Sequence, residues 1–130
     1  MAGFRSDLSR AQGLGSAKHG VGAWLVERVT SVALVPLVIW AVYSGLVLAA
    51  ARYDGAVAWL RSPLNAVLTV LLIAVGFWHM HAGMRVVVED YIHKTMSKAV
   101  ILLLNLGVCV LGAALAIFCV LKVALSAGVV

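Results

Sequence analysis

Three long stretches of the chain contain no charged residue. They run from 29 to 51, from 62 to 84 and from 99 to 121, and a basic residue stands at each end of every stretch. An α-helix rises about 1.5 Å per residue, so each stretch reaches roughly 34 Å, enough for a hydrocarbon core about 30 Å thick. Strands of a membrane β-barrel would alternate in polarity within segments of about ten residues, and these stretches do not. The pattern predicts an all-α membrane protein with three transmembrane helices.

Composition supports this interpretation and limits what the chain does alone. Of its 130 residues, 64% are hydrophobic and 12% are charged, whereas a soluble domain carries about 25% charged residues. Most of the length is spent crossing a bilayer, which leaves no room for a soluble catalytic domain. We expect an N-terminal arm over 1–28 and an anchor domain over 29–130. Any chemistry lies between helices or is shared with other subunits.

The distribution of basic residues predicts the orientation. With three spans, the N-terminal segment and the second loop lie on one side and hold most of the Lys and Arg residues. By the positive-inside rule this side, with the N-terminus, is cytoplasmic, and the C-terminus is periplasmic. The positive charge is therefore explained by topology rather than by a nucleic-acid site. An Arg- and Ser-rich presequence is not recognisable, which favours a bacterial inner membrane. The cytoplasmic residues are Arg5, Arg10, Lys18, Arg28, Arg85, Lys94 and Lys98, against Arg52, Arg61 and Lys122.

Local signals indicate where helices begin and how they pack. Ser62 before Pro63 is typical of an N-cap followed by proline at the first helical position, and Ser97 is expected to cap the third helix. On the third helix, Asn105 is a candidate for an interhelical hydrogen bond, and small residues would allow close helix contact. Those small residues are Gly107, Gly112 and Ala116.

Two histidines lie inside the second span. An ionisable residue within a membrane is costly and is a functional-site hypothesis by default. His79 and His81 are two positions apart, a rotation of about 200° on a helix, so they cannot serve one ligand together. His79 shares a face with Gly76 and Gly83, and these glycines leave space for a flat macrocycle against the helix. This spacing favours His79 as an axial ligand of haem iron.

The alternative for His79 is structural. An intramembrane histidine also occurs as a hydrogen bonder between helices or as a proton relay, and spacing alone does not separate these roles. A low-spin haem needs a second axial ligand, and the first and third spans contain neither His nor Met. If haem is bound, the second ligand comes from another chain, which implies a hetero-oligomer.

Tyr91 and Asp90 follow His79 toward the cytoplasmic surface. Twelve helical residues from His79 to Tyr91 span roughly 18 Å, which places the phenol at the membrane edge. Tyrosine is common there as an interfacial anchor. Paired with the Asp90 carboxylate, the phenol is also suited to hydrogen-bond a quinone carbonyl and to take part in proton delivery. Both interpretations stay open on these residues alone.

Several short motifs together resemble a known family. Residues 79–84 read His-x-x-x-Gly-Met, 89–91 read Glu-Asp-Tyr, and 93–94 read His-Lys; Arg-Val-Thr stands at 28–30 and Ser-Pro-Leu-Asn at 62–65. This combination resembles the small hydrophobic membrane anchors of succinate dehydrogenase, the succinate:quinone oxidoreductase also called complex II. The resemblance covers about residues 14–95, and the three-helix layout extends it over nearly the whole chain. The His-x-x-x-Gly motif followed by Asp-Tyr at this distance is its most specific part.

The resemblance implies a role for each matching residue. His79 matches the axial ligand of haem b, with the opposite ligand expected from the cytochrome b subunit, a second three-helix anchor that would pack against this chain. Tyr91 matches the tyrosine that hydrogen-bonds the ubiquinone head group, and Asp90 matches its acidic neighbour. Arg28 matches a basic residue near the haem propionates. The resemblance assigns no role to His81 or Arg85.

The implied activity is electron transfer by a complex in which this chain has no independent catalysis. Succinate would be oxidised at FAD in a flavoprotein subunit, and electrons would pass through the clusters of an iron–sulfur subunit to quinone. This chain would hold those subunits on the membrane. One alternative is a haem-bearing anchor of fumarate reductase or of another quinone-linked respiratory enzyme. A second is a non-catalytic membrane scaffold in which His79 only pairs helices.

Overall fold

The computed structural model describes residues 6–13 and 21–126, and this part of the chain forms five α-helices. Residues 1–5, 14–20 and 127–130, with Arg5 and Lys18 among them, lie outside the described residues, as does the side chain of Arg10. Three of the helices are long and apolar enough to cross a membrane, which confirms the predicted number of spans. The helices are α1 (Asp7–Ala11), α2 (Val21–Ala49), α3 (Tyr53–Arg61), α4 (Pro63–Tyr91) and α5 (Thr95–Leu125), of which α2, α4 and α5 are the long ones.

The long helices do not stop where the charge-free stretches stop. α2 begins at Val21 rather than at 29, α4 continues past Met84 to Tyr91, and α5 begins at Thr95 rather than at 99. Arg, Glu and Lys have good helix propensity, so the backbone hydrogen bonding continues beyond the apolar stretch. The absence of charge therefore marks the part of each helix that fits the hydrocarbon core. It does not mark the full helix.

The start of α4 was predicted correctly, and the start of α5 was not. Ser62 is the N-cap of α4 and Pro63 is its first residue, although the Ser62 side chain makes no capping hydrogen bond. The prediction for Ser97 is wrong, because α5 begins at Thr95 and its N-cap is Lys94. Only residues 92–94 separate α4 from α5, which makes these two helices antiparallel neighbours.

The short helix α3 connects α2 to α4 and was not predicted. The Trp59 ring on α3 stacks on the Trp40 ring of α2, with centroids 5.7 Å apart and planes 22° from parallel. The Asn65 amide on α4 donates to the Trp59 carbonyl oxygen at 3.0 Å. α3 also packs against α5. These contacts fix the first loop against all three long helices.

α4 lies between α2 and α5. His79 of α4 contacts Thr30 of α2, whereas His81 of α4 contacts Asn105 of α5. Since two residues correspond to about 200° of helix rotation, the His79 and His81 contacts lie on nearly opposite sides of α4. The predicted interhelical hydrogen bond of Asn105 is therefore confirmed, with His81 as its partner.

Small residues matter at one point of the α4–α5 contact. A Cβ placed on Gly112 would lie 2.7 Å from Cε1 of Phe77, so this glycine permits close approach of the helices as predicted. Gly107 makes no such close approach within the described residues, because a Cβ there would meet none of their atoms within 4 Å.

The long helices are apolar on all sides. Among the described residues only Ser44, Val88 and Cys109 are buried, and large apolar side chains are exposed along α2, α4 and α5. Helices that are hydrophobic all round are stable only when lipid or other protein covers them. The described chain therefore has surfaces for a bilayer or for other protein rather than a core of its own.

Candidate functional site

His79 is positioned by α4 and held by α2. Its Nδ1 lies 2.9 Å from Oγ1 of Thr30, and the ring is partly buried. Within the described residues, its Nε2 has no hydrogen-bond partner. The ring borders a shallow, open depression on the surface of α2 and α4. The α2 residues that line this depression are Ser31, Leu34, Val35, Val38 and Ile39.

The glycines beside His79 leave the space that the sequence predicted. A Cβ added at Gly76 or at Gly83 would meet no atom within 4 Å. Both residues lie within about 60° of His79 around the α4 axis, because each residue of an α-helix adds about 100° of rotation. Neither glycine therefore places a side chain beside the His79 ring.

His81 belongs to the opposite side of α4 and has a structural environment. The Asn105 side-chain amide lies 3.0 Å from His81 Nδ1 and donates to the His81 carbonyl oxygen at 3.1 Å. The Cys109 thiol in turn donates to the Asn105 side-chain oxygen at 3.5 Å. This network joins α4 to α5 within the membrane-spanning region. It gives His81 a role that the sequence left unassigned.

Arg28 lies on the face of α2 that borders the His79 depression. Arg28, Ser31 and Val35 follow i, i+3, i+7 spacing, and the latter two residues line the depression. The Arg28 side chain is exposed, and its guanidinium carbon lies 5.6 Å from the centroid of the Trp24 ring. The guanidinium does not contact His79, but it stands one turn of α2 from the depression, at the end where the charged residues begin.

Asp90 and Tyr91 form the end of α4. Asp90 lies three turns from His79 and within about 20° of it around the α4 axis. Tyr91 lies about 120° from His79 around the same axis, on the open side of α4, which no other described helix covers. Tyr91 is 80% exposed, and neither side chain has a hydrogen-bond partner among the described residues. The phenol and the carboxylate are therefore both available to a ligand or a partner chain.

Arg85 does not join this group. Its guanidinium Nε donates to Glu89 Oε1 at 2.7 Å, a pair with an i, i+4 spacing. Both residues line a cavity of about 500 Å³ between α2 and α4, together with Trp78 and His81. Arg85 is about 40° from His81 and about 120° from His79 around α4, so it belongs to the His81 side.

The remaining question is how these residues could hold a metal ion. Among residues 6–13 and 21–126, no three His, Cys, Asp or Glu side chains are grouped to hold a metal ion. A metal that brings most of its own ligands needs only one nitrogen from this chain, and the candidate is His79 Nε2, which has no hydrogen-bond partner among the described residues. Sequence reasoning missed Thr30 as its partner. The only signal was the position of Thr30 in the Arg-Val-Thr motif, because the contact depends on how α2 packs on α4.

Comparison with known proteins identifies the family of the chain. Residues 4–121 match the family described as succinate dehydrogenase/fumarate reductase transmembrane subunit. The succinate dehydrogenase hydrophobic membrane anchor subunit of Rickettsia conorii is 33% identical over 102 residues, which cover 76% of this chain and 81% of the relative. The protein of the same description from Paracoccus denitrificans is 32% identical over 95 residues, covering 71% of each chain. No solved structure matches the chain significantly. The chain therefore belongs to the family of succinate dehydrogenase/fumarate reductase transmembrane subunits, as a membrane anchor of the succinate dehydrogenase type.

Proposed function

We propose that the chain is the anchor subunit of a succinate:quinone oxidoreductase in a bacterial inner membrane. It holds a flavoprotein subunit with FAD and an iron–sulfur subunit on the cytoplasmic face. It also supplies one axial ligand to haem b and part of the ubiquinone-reduction site. The observation that carries the proposal is the face of α4 on which Asp90 lies within about 20° of His79, with Tyr91 beside them and Arg28 on the α2 face that borders the His79 depression. The curated relatives named above favour succinate dehydrogenase over fumarate reductase.

The residues around His79 fit a haem. The Nε2 atom is free of partners in the described chain, and a Cβ at Gly76 or Gly83 would meet open space rather than protein. A macrocycle lies flat only where neighbouring side chains leave this clearance. When bound, haem b supplies a one-electron carrier within the membrane. A second ligand to the haem iron would come from the cytochrome b subunit, the second three-helix anchor, which would cover the open face.

Arg28 is suited to the haem propionates. Its guanidinium is exposed at the charged end of the face that His79 occupies, and its nitrogens have no hydrogen-bond partner among the described residues. A guanidinium binds carboxylates through two parallel hydrogen bonds, which adds orientation to attraction.

Tyr91 and Asp90 are suited to the quinone. The Tyr91 phenol donates a hydrogen bond to a quinone carbonyl oxygen, and the carboxyl group of Asp90 beside it supplies or relays a proton. Reduction of a quinone to a quinol consumes two electrons and two protons, and the electrons come from the iron–sulfur subunit. Since Tyr91 is 80% exposed, the remaining walls of this site belong to partner chains.

The experiment that tests this function separates the two half-reactions. In the assembled complex, Tyr91→Phe removes the phenolic donor, and quinone reduction should fall about fivefold to tenfold, as expected for one hydrogen bond of about 1 kcal/mol. Succinate oxidation with an artificial dye should persist, because the flavin and the clusters are untouched. Tyr53→Phe is the matched control, since Tyr53 is similarly exposed at the other end of the membrane region and should change neither activity.

Two results would contradict the proposal. An equal loss of dye-linked and quinone-linked activity in Tyr91→Phe would mean that the substitution damages assembly rather than quinone binding. Unchanged quinone reduction in that variant would reduce Tyr91 to an interfacial anchor.

A further inference from the structure

Thr30 makes the side-chain hydrogen bond that joins α2 to α4 at His79. Its Oγ1 lies 2.9 Å from His79 Nδ1, and within the described residues no other side-chain pair hydrogen-bonds across these two helices. Oγ1 also lies 2.8 Å from the Val26 carbonyl oxygen and 3.0 Å from the Glu27 carbonyl oxygen. The threonine hydroxyl therefore has three polar neighbours and a single proton.

This count of protons determines the tautomer of His79. Carbonyl oxygens only accept hydrogen bonds, so the Thr30 hydroxyl proton is donated to Val26 or Glu27. The hydroxyl oxygen then accepts, and the remaining neighbour, His79 Nδ1, must donate. A neutral imidazole has one N–H, which leaves Nε2 without a proton and with its lone pair directed away from Thr30.

His81 is held in the opposite tautomer. The Asn105 atom that lies 3.1 Å from the His81 carbonyl oxygen must be the amide nitrogen, because two oxygens would not approach in that way. The same nitrogen lies 3.0 Å from His81 Nδ1, so Nδ1 accepts and the proton of His81 is on Nε2. The thiol of Cys109 donates to the other end of the amide, which agrees with this orientation. Of these two histidines, only His79 presents an unprotonated Nε2.

We infer that Thr30 is a positioning residue that selects His79 as the metal ligand and fixes its ring plane. The inference rests on the axial-ligand role proposed for His79 and adds the partner that makes this role possible. A hydrogen bond accepted from Nδ1–H orients a coordinating imidazole and raises its basicity. A more basic ligand stabilises ferric over ferrous iron, so this bond also lowers the reduction potential of the bound haem.

The test replaces the Thr30 hydroxyl within the assembled complex. Thr30→Val keeps the shape of the side chain and removes the acceptor, whereas Thr30→Ser keeps the hydroxyl. Thr69→Val is the matched control, because Thr69 on α4 makes the same backbone hydrogen bond, to the Asn65 carbonyl oxygen at 2.7 Å, without contacting a histidine. Haem affinity, the electron paramagnetic resonance g-values of the ferric haem and its midpoint potential are measured in each variant.

Thr30→Val should lower haem affinity by about 10- to 100-fold, as is typical when the hydrogen-bond partner of a metal-ligating residue is removed. It should also shift the g-values and raise the midpoint potential. Thr30→Ser and Thr69→Val should resemble the wild type in all three measurements. Where Thr30→Val does not assemble, Thr30→Ala removes the same acceptor with a smaller side chain and should give the same shifts.

The outcomes separate this inference from the function on which it rests. If His79→Ala abolishes the haem signal while the hydroxyl-free Thr30 variants match Thr30→Ser, the role of Thr30 is overturned and the ligand assignment stands. If His79→Ala leaves the haem signal unchanged, the ligand assignment is overturned, and the role of Thr30 falls with it.

Discussion

His79 and His81 show how two neighbouring residues of one type acquire different roles. The sequence predicts that they point to different sides of the second span, and this prediction follows from helix rotation alone. It does not determine which partner each ring finds. Thr30 precedes His79 by 49 positions and Asn105 follows His81 by 24 positions, so each partner depends on the packing of α4 against another helix. The sequence singles out the two histidines and their different directions, but it does not predict their hydrogen bonds.

Substitution of the two histidines should have different consequences. His79→Ala should abolish or strongly alter the haem absorbance of the purified complex, because the axial nitrogen is lost. His81→Ala should retain the absorbance but lower the melting temperature, because it breaks an intramembrane hydrogen bond worth about 1 kcal/mol. Absorbance spectra and thermal melting of both variants check this. The account is wrong if the absorbance depends on His81 and not on His79.

At the scale of helices, charge-free stretches predict the spans well and the helix ends poorly. The stretch from 62 to 84 lies within α4 apart from its N-cap residue, yet α4 continues to Tyr91 because charged residues extend a helix readily. The helix α3 could not be predicted in this way, since its position depends on the stacking of Trp59 on Trp40. Periodicity within the chain contains no information on such contacts between elements.

The α4–α5 contact provides a prediction at the same scale. Gly112→Ala places a methyl group 2.7 Å from the Phe77 ring, which must move, so the variant should be destabilised by about 1 kcal/mol or more. Gly107→Ala is the matched control, because the same methyl group would meet open space. Thermal melting in detergent compares the two variants. The combination Gly112→Ala with Phe77→Leu should recover stability, and equal melting of both single variants would refute the contact.

At the scale of the whole molecule, the chain is a surface for other subunits. Its long helices are apolar on all sides, and side chains on the open face of α4 remain exposed, with Met80 at 44% and Tyr91 at 80%. Membership of the family explains this exposure, because an anchor buries such faces against lipid and partner subunits. The composition of the chain predicts this dependence on partners. The family implies that the partners are other succinate dehydrogenase subunits.

The most direct test of the proposed function is to identify what binds the chain in its native membrane. The tagged chain is extracted in mild detergent, and the proteins that co-purify are identified by mass spectrometry. The account predicts a flavoprotein, an iron–sulfur protein and a second three-helix anchor in equal amounts with this chain. Recovery of the intact chain without the flavoprotein and the iron–sulfur protein would contradict the account and would leave His79 with a structural role only.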